Sequence, residues 1–186
     1  GGGAVGLVTL KSFSQETSAQ LVEALRSFES EPVKAVAVDL RGNAGGYMPA
    51  GVEAARLFLP PGAKVISEVS RDGSTETFFS EGIGSETKAK LFLLVDKGTA
   101  SASEIMAGAL QDNKRAVLVS SDERTFGKGR IQNVQSLEDG SGVAVTKAKY
   151  VTPSGRDIHG VGLVPDVVSG ACSSEKPAEV CLRGLI

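Results

Sequence analysis

Little in this sequence suits the commoner catalytic chemistries. It holds one histidine, His159, and two cysteines, Cys172 and Cys181, among 186 residues. A serine–histidine pair therefore has one possible base. That base sits in a polar loop, SGRDIHGVGLVPD, which nothing in the spacing ties to a serine, and a loop hydrogen bond suits it better. The cysteines lie nine positions apart in a polar tail, CSSEKPAEVC, where they make poor nucleophiles. Joined, they would close a loop contributing about 2.5–3 kcal/mol by the chain-entropy argument and would suit a lumen or periplasm. Two free thiols are the alternative. An excess of charge is also missing: 20 Lys and Arg face 22 Asp and Glu, for a net −2, which argues against nucleic acid as the main partner. The longest apolar runs, such as LFLLV at 91–95, reach only about five residues, and none can span a bilayer. No signal or transit peptide precedes the strand-like AVGLVTL, and the opening GGG reads as a trimmed junction, which leaves location open.

What is present is globular. Hydrophobic residues make up 41% and charged residues 23%, a composition neither disordered nor membrane-like. The length supports one good-sized core, read as a single domain over 1–186 with a polar tail from 169. AVGLVTL (4–10), KAVAVDL (34–40), KLFLLVD (90–96) and AVLVS (116–120) read as strands, the last three as buried ones. Helices are expected from Gln15 to Ser30, with Leu21, Ala24, Leu25 and Phe28 on one face, and from Pro49 to Leu59, stopped by Pro60 and Pro61. GTASASEIMAGALQDN gives a turn and a third helix, with Ile105, Met106, Ala109 and Leu110 on one face. VISEVSR and TETFF flank RDGS, a hairpin signal. RIQNVQSL and GVAVTKAKYV add paired strands later. Strand–helix alternation argues an α/β domain with helices packed on a partly parallel sheet.

Three turns carry the chemistry. In GTASASEI a buried strand ends at Asp96, the chain turns through Lys97–Ala100, and a helix begins near Ser101. One reading is a capping box, with Ser101 as N-cap and Glu104 three residues on. Another is a serine nucleophile at a strand-to-helix corner, where free N–H groups and partial positive charge steady a developing oxyanion. The two are compatible. Such a serine needs a base, and with His159 set aside a lysine is the remaining choice, a known variant of the serine triad. TFGKGRIQ (125–132) sets Lys128 between two glycines, either as an incidental charge in an ordinary glycine-rich turn or because the freed backbone aims the amine into a site. A free lysine titrates near about 10.4, so a working base needs burial that disfavours the charged form. RGNAGG (41–46) is either a plain tight turn or a place where backbone approaches substrate beyond a strand's carboxyl end.

TASASEIMAGALQDNKRAVLV followed by TFGKGRIQ resembles the catalytic signature of the C-terminal processing peptidases, or tail-specific proteases. DLRGNAGG resembles their second signature and TPSGRDIHGVGLVPDV their closing segment, so the likeness covers nearly all of residues 4–168. It implies a crotonase- or Clp-protease-like catalytic core with a β-rich second half. The implied activity is a serine endopeptidase that cuts near the carboxyl terminus of protein substrates, with no cofactor, no metal and no nucleic acid. Carried over residue by residue, it makes Ser101 the nucleophile and Lys128 the general base. Gln132 helps hold the lysine, since four steps along an extended strand return to one face. The oxyanion hole becomes the N–H of Ala102 plus one from the Gly45–Gly46 turn. Ser103, in the same turn as Ser101, is the rival nucleophile. Asp112 also matches a family position, but on a straight helix it lies about 16 Å from Ser101, so it reads as structural or as support for the lysine loop.

Two departures stand out. VSSDERTFGKG is about two residues longer than the usual family stretch: an outward bulge at Ser121–Asp122 would leave the site intact, whereas a shift of the loop would misplace Lys128. Family members also carry an N-terminal helical region and a PDZ domain upstream, absent from these residues, so the chain reads as a catalytic core fragment. YMPAGVEAARLFLPPG and DIHGVGLVPD resemble the photosynthetic members, which trim the carboxyl-terminal extension of a photosystem II reaction-centre precursor, a membrane protein. That resemblance implies the thylakoid lumen of a chloroplast, or a bacterial periplasm. Retinoid-binding proteins share the fold without proteolysis, and an inactive regulatory homologue is a further alternative. The joint presence of Ser101, Lys128 and Gln132 favours the protease.

Overall fold

The computed structural model describes residues 4–28, 33–81 and 87–186. Strands β1 (Val5–Thr9), β2 (Ala35–Asp39), β5 (Lys90–Val95), β6 (Ala116–Ser120) and β9 (Val167–Val168) form a five-stranded sheet in the order β1-β2-β5-β6-β9. Every pairing in it is parallel, in registers such as Val36 beside Leu91 and Leu93 beside Leu118. Strands β3 (Lys64–Ser70), β4 (Thr75–Phe79), β7 (Arg130–Ser136) and β8 (Gly142–Val151) form an antiparallel sheet in the order β4-β3-β8-β7. The expected hairpin is the β3–β4 pair. It joins the later strands instead of standing apart from them.

Alternation along the parallel strands makes two apolar faces, and both are covered, as a parallel sheet requires. On one face Val36, Val38, Leu91, Leu93 and Leu118 meet α1 (Thr17–Ser27), α2 (Met48–Arg56) and α3 (Ala102–Asp112). On the other, Ala35, Ala37, Phe92, Leu94 and Val119 meet Cys172, Ala178, Cys181 and Leu182. The segment from 169 is therefore not a loose polar tail. A 3-10 turn (Gly170–Cys172) and a short helix, α4 (Ala178–Cys181), are clasped by a Cys172–Cys181 disulfide and lid the second face of the sheet. Its apolar residues are too few and too scattered to show a period.

The helices differ from expectation in two ways. The α2 helix stops at Arg56, and Phe58 and Leu59 continue as tighter turns that leave both side chains fully buried. In α3 every residue from Ala102 to Leu110 is buried, not only one stripe, because it runs between α2, β3 and β6. The expected end of the first helix, at Ser30, lies outside the described residues.

Candidate active site

Ser101 occupies the corner between β5 and α3 with φ 56° and ψ −119°, one of two positive-φ residues other than glycine among those described. Such a conformation costs about 1–3 kcal/mol and persists only where the surroundings impose it. They do so here from several sides. Thr99 donates its hydroxyl to Leu40 O at 2.9 Å, and Ala100 N donates to Asn43 O at 3.0 Å. Ala102 is fully buried, and α2 lies so close that a Cβ on Gly51 would sit 2.6 Å from Ala102 O. Ser103, the rival nucleophile, is fully buried and commits its hydroxyl to Asn43 O at 3.0 Å. Ser101 alone of the two keeps partial access to solvent.

The glycine turn lies against this corner. Asp96 accepts from Gly42 N and Gly98 N, each at 2.9 Å, and so joins the two loops. Asn43 donates to Leu10 O at 2.8 Å and accepts from Gly45 N at 2.9 Å. Gly45 has φ 99°, and a Cβ there would meet Ser101 Cβ at 2.6 Å and Ala102 N at 2.9 Å. Glycine is thus required by both angle and approach. An oxyanion hole is expected from the N–H of Ala102 and one of the Gly45–Gly46 turn; that of Gly45 is taken by Asn43. Those of Gly46 and Ala102 make no hydrogen bond among the described residues.

Behind the turn, Arg41 donates to both Asp39 oxygens, at 2.9 and 2.6 Å, and to the carbonyls of Ser173 and Lys176. The bidentate bond to Asp39 raises its guanidinium pKa against the opposing effect of burial. The glycine turn is therefore moored to the disulfide-clasped segment.

The lysine loop meets the same corner through one buried carboxylate. Glu104 is fully buried. Its Oε1 accepts from Thr125 Oγ1 at 2.6 Å and Gly127 N at 2.7 Å, and its Oε2 from Lys128 N at 3.0 Å and Ser101 N at 3.1 Å. The last bond is the reach-back of the expected capping box. The other three come from the lysine loop. Gly127 (φ 82°) and Gly129 (φ 53°) both adopt left-handed backbone, and both face backbone that leaves no room for a side chain: Gly162 N at 2.6 Å from a Cβ on the first, His159 N at 2.6 Å on the second.

His159 lies by Lys128 but does not face Ser101 through its ring in any hydrogen bond. Its Nδ1 stands 2.5 Å from Lys128 O, and since a carbonyl only accepts, Nδ1 carries the proton there. Tyr150 is buried on β8. Its hydroxyl accepts from Gly129 N at 3.2 Å and stands 3.5 Å from Ser101 O. Burial first, and the nearby Glu104 charge second, push its pKa well above the ordinary phenol value.

The backbones of Ser101 and Lys128 are thus brought together, with Ala102, Gly45 and Gly46 alongside. No hydrogen bond joins Ser101 Oγ to Lys128 Nζ among the described residues. Gln132 gives its amide to Thr146 Oγ1, its partner across the hairpin, at 3.4 Å. A register shift lies between Ile131 and Gln132, within the stretch where simple alternation is expected. Asp112 holds the turn after β8: it accepts from Ser154 N at 2.9 Å and Ser154 Oγ at 2.7 Å, and it pairs with Arg156. In the longer loop before Lys128, Asp122 accepts from Lys97 N at 3.2 Å, while Phe126 N bonds Thr99 O at 3.0 Å. The added length stays outside the bonds that place the lysine. Residue patterns mark Glu104 only as a cap and assign Tyr150 no role, because apart from Ser101 N, three positions from Glu104, the groups that meet them lie 21 or more positions away.

Compared with known proteins, residues 4–169 match the family model of peptidase family S41. A carboxyl-terminal-processing protease of Synechocystis sp. is 47% identical over 90% of this chain and 38% of its own length. A chloroplastic C-terminal processing peptidase of Tetradesmus obliquus is 44% identical over 88% of this chain and 34% of its own. A solved structure titled photosystem II D1 C-terminal processing protease superposes with a TM-score of 0.79 at 42% identity, covering 89% of this chain and 42% of that one. The chain spans less than half the length of each of these relatives.

Proposed function

The chain belongs to peptidase family S41, and on that premise we propose that it is the catalytic core of a serine endopeptidase that cuts near the carboxyl terminus of protein substrates. One observation carries the reading. A single buried carboxylate, Glu104, holds both the N–H of the strained Ser101 and the N–H of Lys128, so two loops distant in sequence are tied together at the proposed nucleophile and base.

In this reading Ser101 Oγ attacks the scissile carbonyl carbon and its proton passes to the neutral amine of Lys128. The carbonyl oxygen becomes an oxyanion, stabilised by the N–H of Ala102 at the positive end of α3 and by an N–H of the Gly45–Gly46 turn. The N–H groups of Ala102 and Gly46, without a hydrogen bond among the described residues, suit that role better than the engaged N–H of Gly45. The ammonium of Lys128 then protonates the leaving amine, and water repeats the sequence to release the acyl group. Gln132 serves the lysine once its amide leaves Thr146.

The substrate class follows the relatives' names: carboxyl-terminal segments of proteins, and within the photosynthetic branch the tail of a photosystem II reaction-centre precursor, a membrane protein. A PDZ domain in the remaining length of the full protein would hold the substrate's terminal carboxylate by strand addition. The chloroplastic names of relatives and the disulfide support a thylakoid-lumen location, or a periplasm for a bacterial source. The test sets a fluorogenic carboxyl-terminal peptide against titration with an apolar ligand. Cleavage that disappears in Ser101→Ala is expected. Ligand binding without cleavage would move the protein to the non-proteolytic members of the fold.

A further inference from the structure

Glu104 accounts for one side of the junction between nucleophile and base. The other side is held by a group that the proteolytic steps do not use. The Tyr150 hydroxyl accepts from the N–H of Gly129, the peptide that follows the base, and stands 3.5 Å from the carbonyl of Ser101, the nucleophile's own. Tyr150 N also donates to Gly129 O at 3.3 Å, so this one residue takes Gly129 by both its backbone groups. Ser101 is therefore met at both ends: its N–H is bonded to Glu104, and its C=O, which accepts from Ile105 N at 3.0 Å, also has the Tyr150 hydroxyl at 3.5 Å. Each of these two side chains passes on to the lysine loop, at Lys128 N and Gly129 N respectively.

The phenol suits the task chemically. Once its oxygen has accepted from Gly129 N–H, its own proton is free to point at Ser101 O. Burial and the Glu104 charge both disfavour ionisation, so the donor is retained at any pH at which such an enzyme works. The ring is buried against the core, which leaves the hydroxyl little freedom to swing.

We infer that Tyr150 is a positioning residue for the S41 reaction, its hydroxyl fixing the separation of Ser101 and Lys128 by bridging the peptide after the base to the carbonyl of the nucleophile. This rests on the proposed peptidase function. It predicts a loss confined to the chemical step, because a displacement of about 1 Å between reacting groups costs on the order of 10²-fold in rate while binding contacts stay as they were.

The experiment compares Tyr150→Phe, Asp112→Asn and Ser101→Ala in the full chain with a fluorogenic carboxyl-terminal peptide, reading kcat, KM and Tm. Asp112→Asn loosens the turn after the same strand without touching Ser101 or the lysine loop. Tyr150→Phe is expected to lower kcat by about 10- to 100-fold, with KM within about twofold and Tm close to that of the parent protein, while Asp112→Asn lowers Tm and spares kcat well below its melting range. Unchanged kcat in Tyr150→Phe overturns the inference. So does a kcat loss that merely tracks Tm in both variants, which would make the hydroxyl a structural bond only. If Ser101→Ala still cleaves, the peptidase reading itself falls, a result separate from either of those.

Discussion

At the carboxyl ends of β5 and β6 the chain buries polar groups and pairs them, whereas along β7 and the facing part of β8 it leaves both faces in water. No buried side-chain nitrogen or oxygen among the described residues lacks a partner, and Glu104 alone collects four donors. On the ribbon, residues 132–136 and 142–147 are all exposed, and Val134 and Val145 stand 75% and 55% open. Ser101 and Lys128 belong to the first region and Gln132 to the second. The comparison teaches that the candidate site is not uniformly built: the backbones of Ser101 and Lys128, the proposed nucleophile and base, are fixed by polar closure, while Gln132, its proposed third member, rides on a strand that little else restrains.

The largest effects should come from the closed region. Ser101→Ala and Lys128→Ala should each lower kcat by at least about 10³-fold with the fold intact, and the double variant should be no worse than either, since residues acting as one unit do not add. Steady-state kinetics beside far-ultraviolet circular dichroism checks this, and additive losses would separate the two residues. Glu104→Ala comes next. It strands three backbone N–H groups from two loops in a dry site, so denaturant unfolding should show a loss of about 3 kcal/mol or more, together with a roughly 10²-fold fall in kcat. A variant as stable and active as its parent would show that the carboxylate ties nothing.

Smaller changes sharpen the boundary. Burial raises the Asp112 carboxyl, but bonds from Thr152 and Ser154 and the Arg156 charge outweigh it and hold the group below its ordinary value of 3.8. A depressed folded-state value means that the stabilisation is complete above that range and lost as pH falls through it. The Tm gap between the parent protein and Asp112→Asn should therefore be open at neutral pH and narrow as pH falls below the ordinary carboxylate value of 3.8, as acid thermal melts would show. On the ribbon, Val134→Lys should change stability by no more than about 0.5 kcal/mol. A larger loss in chemical denaturation would mean that the ribbon is packed against something after all.

Legibility in the sequence follows the same division. Strands announce themselves where apolar residues run together: AVLVS reads as a strand at 116–120, and β6 spans Ala116–Ser120. The glycines of FGKG and NAGG are legible because positive φ and close backbone approach admit little else, and Gly45, Gly127 and Gly129 show both. What stays hidden depends on contacts distant in sequence. Glu104 reads as a helix cap since only one of its four donors is local. Tyr150 reads as any aromatic on a strand. The closing segment reads as polar because its four buried side chains, Cys172, Ala178, Cys181 and Leu182, matter only where the sheet's second face meets them. Counting along an ideal strand places Gln132 on the lysine's face, and the register shift between Ile131 and Gln132, invisible in the sequence, falls within that count.

His159 and Lys128 touch, ring to carbonyl, and the serine–lysine mechanism makes only the lysine a base. The direct test is kcat/KM for Lys128→Ala and His159→Ala, measured side by side on one carboxyl-terminal peptide. Loss of the lysine amine should cost at least about 10³-fold. Loss of the imidazole removes one exposed hydrogen bond to the lysine's backbone and should cost no more than about 10-fold, in line with a bond worth about 1 kcal/mol. If His159→Ala is dead and Lys128→Ala still cleaves, the assignment of base is reversed and the serine–lysine mechanism is wrong.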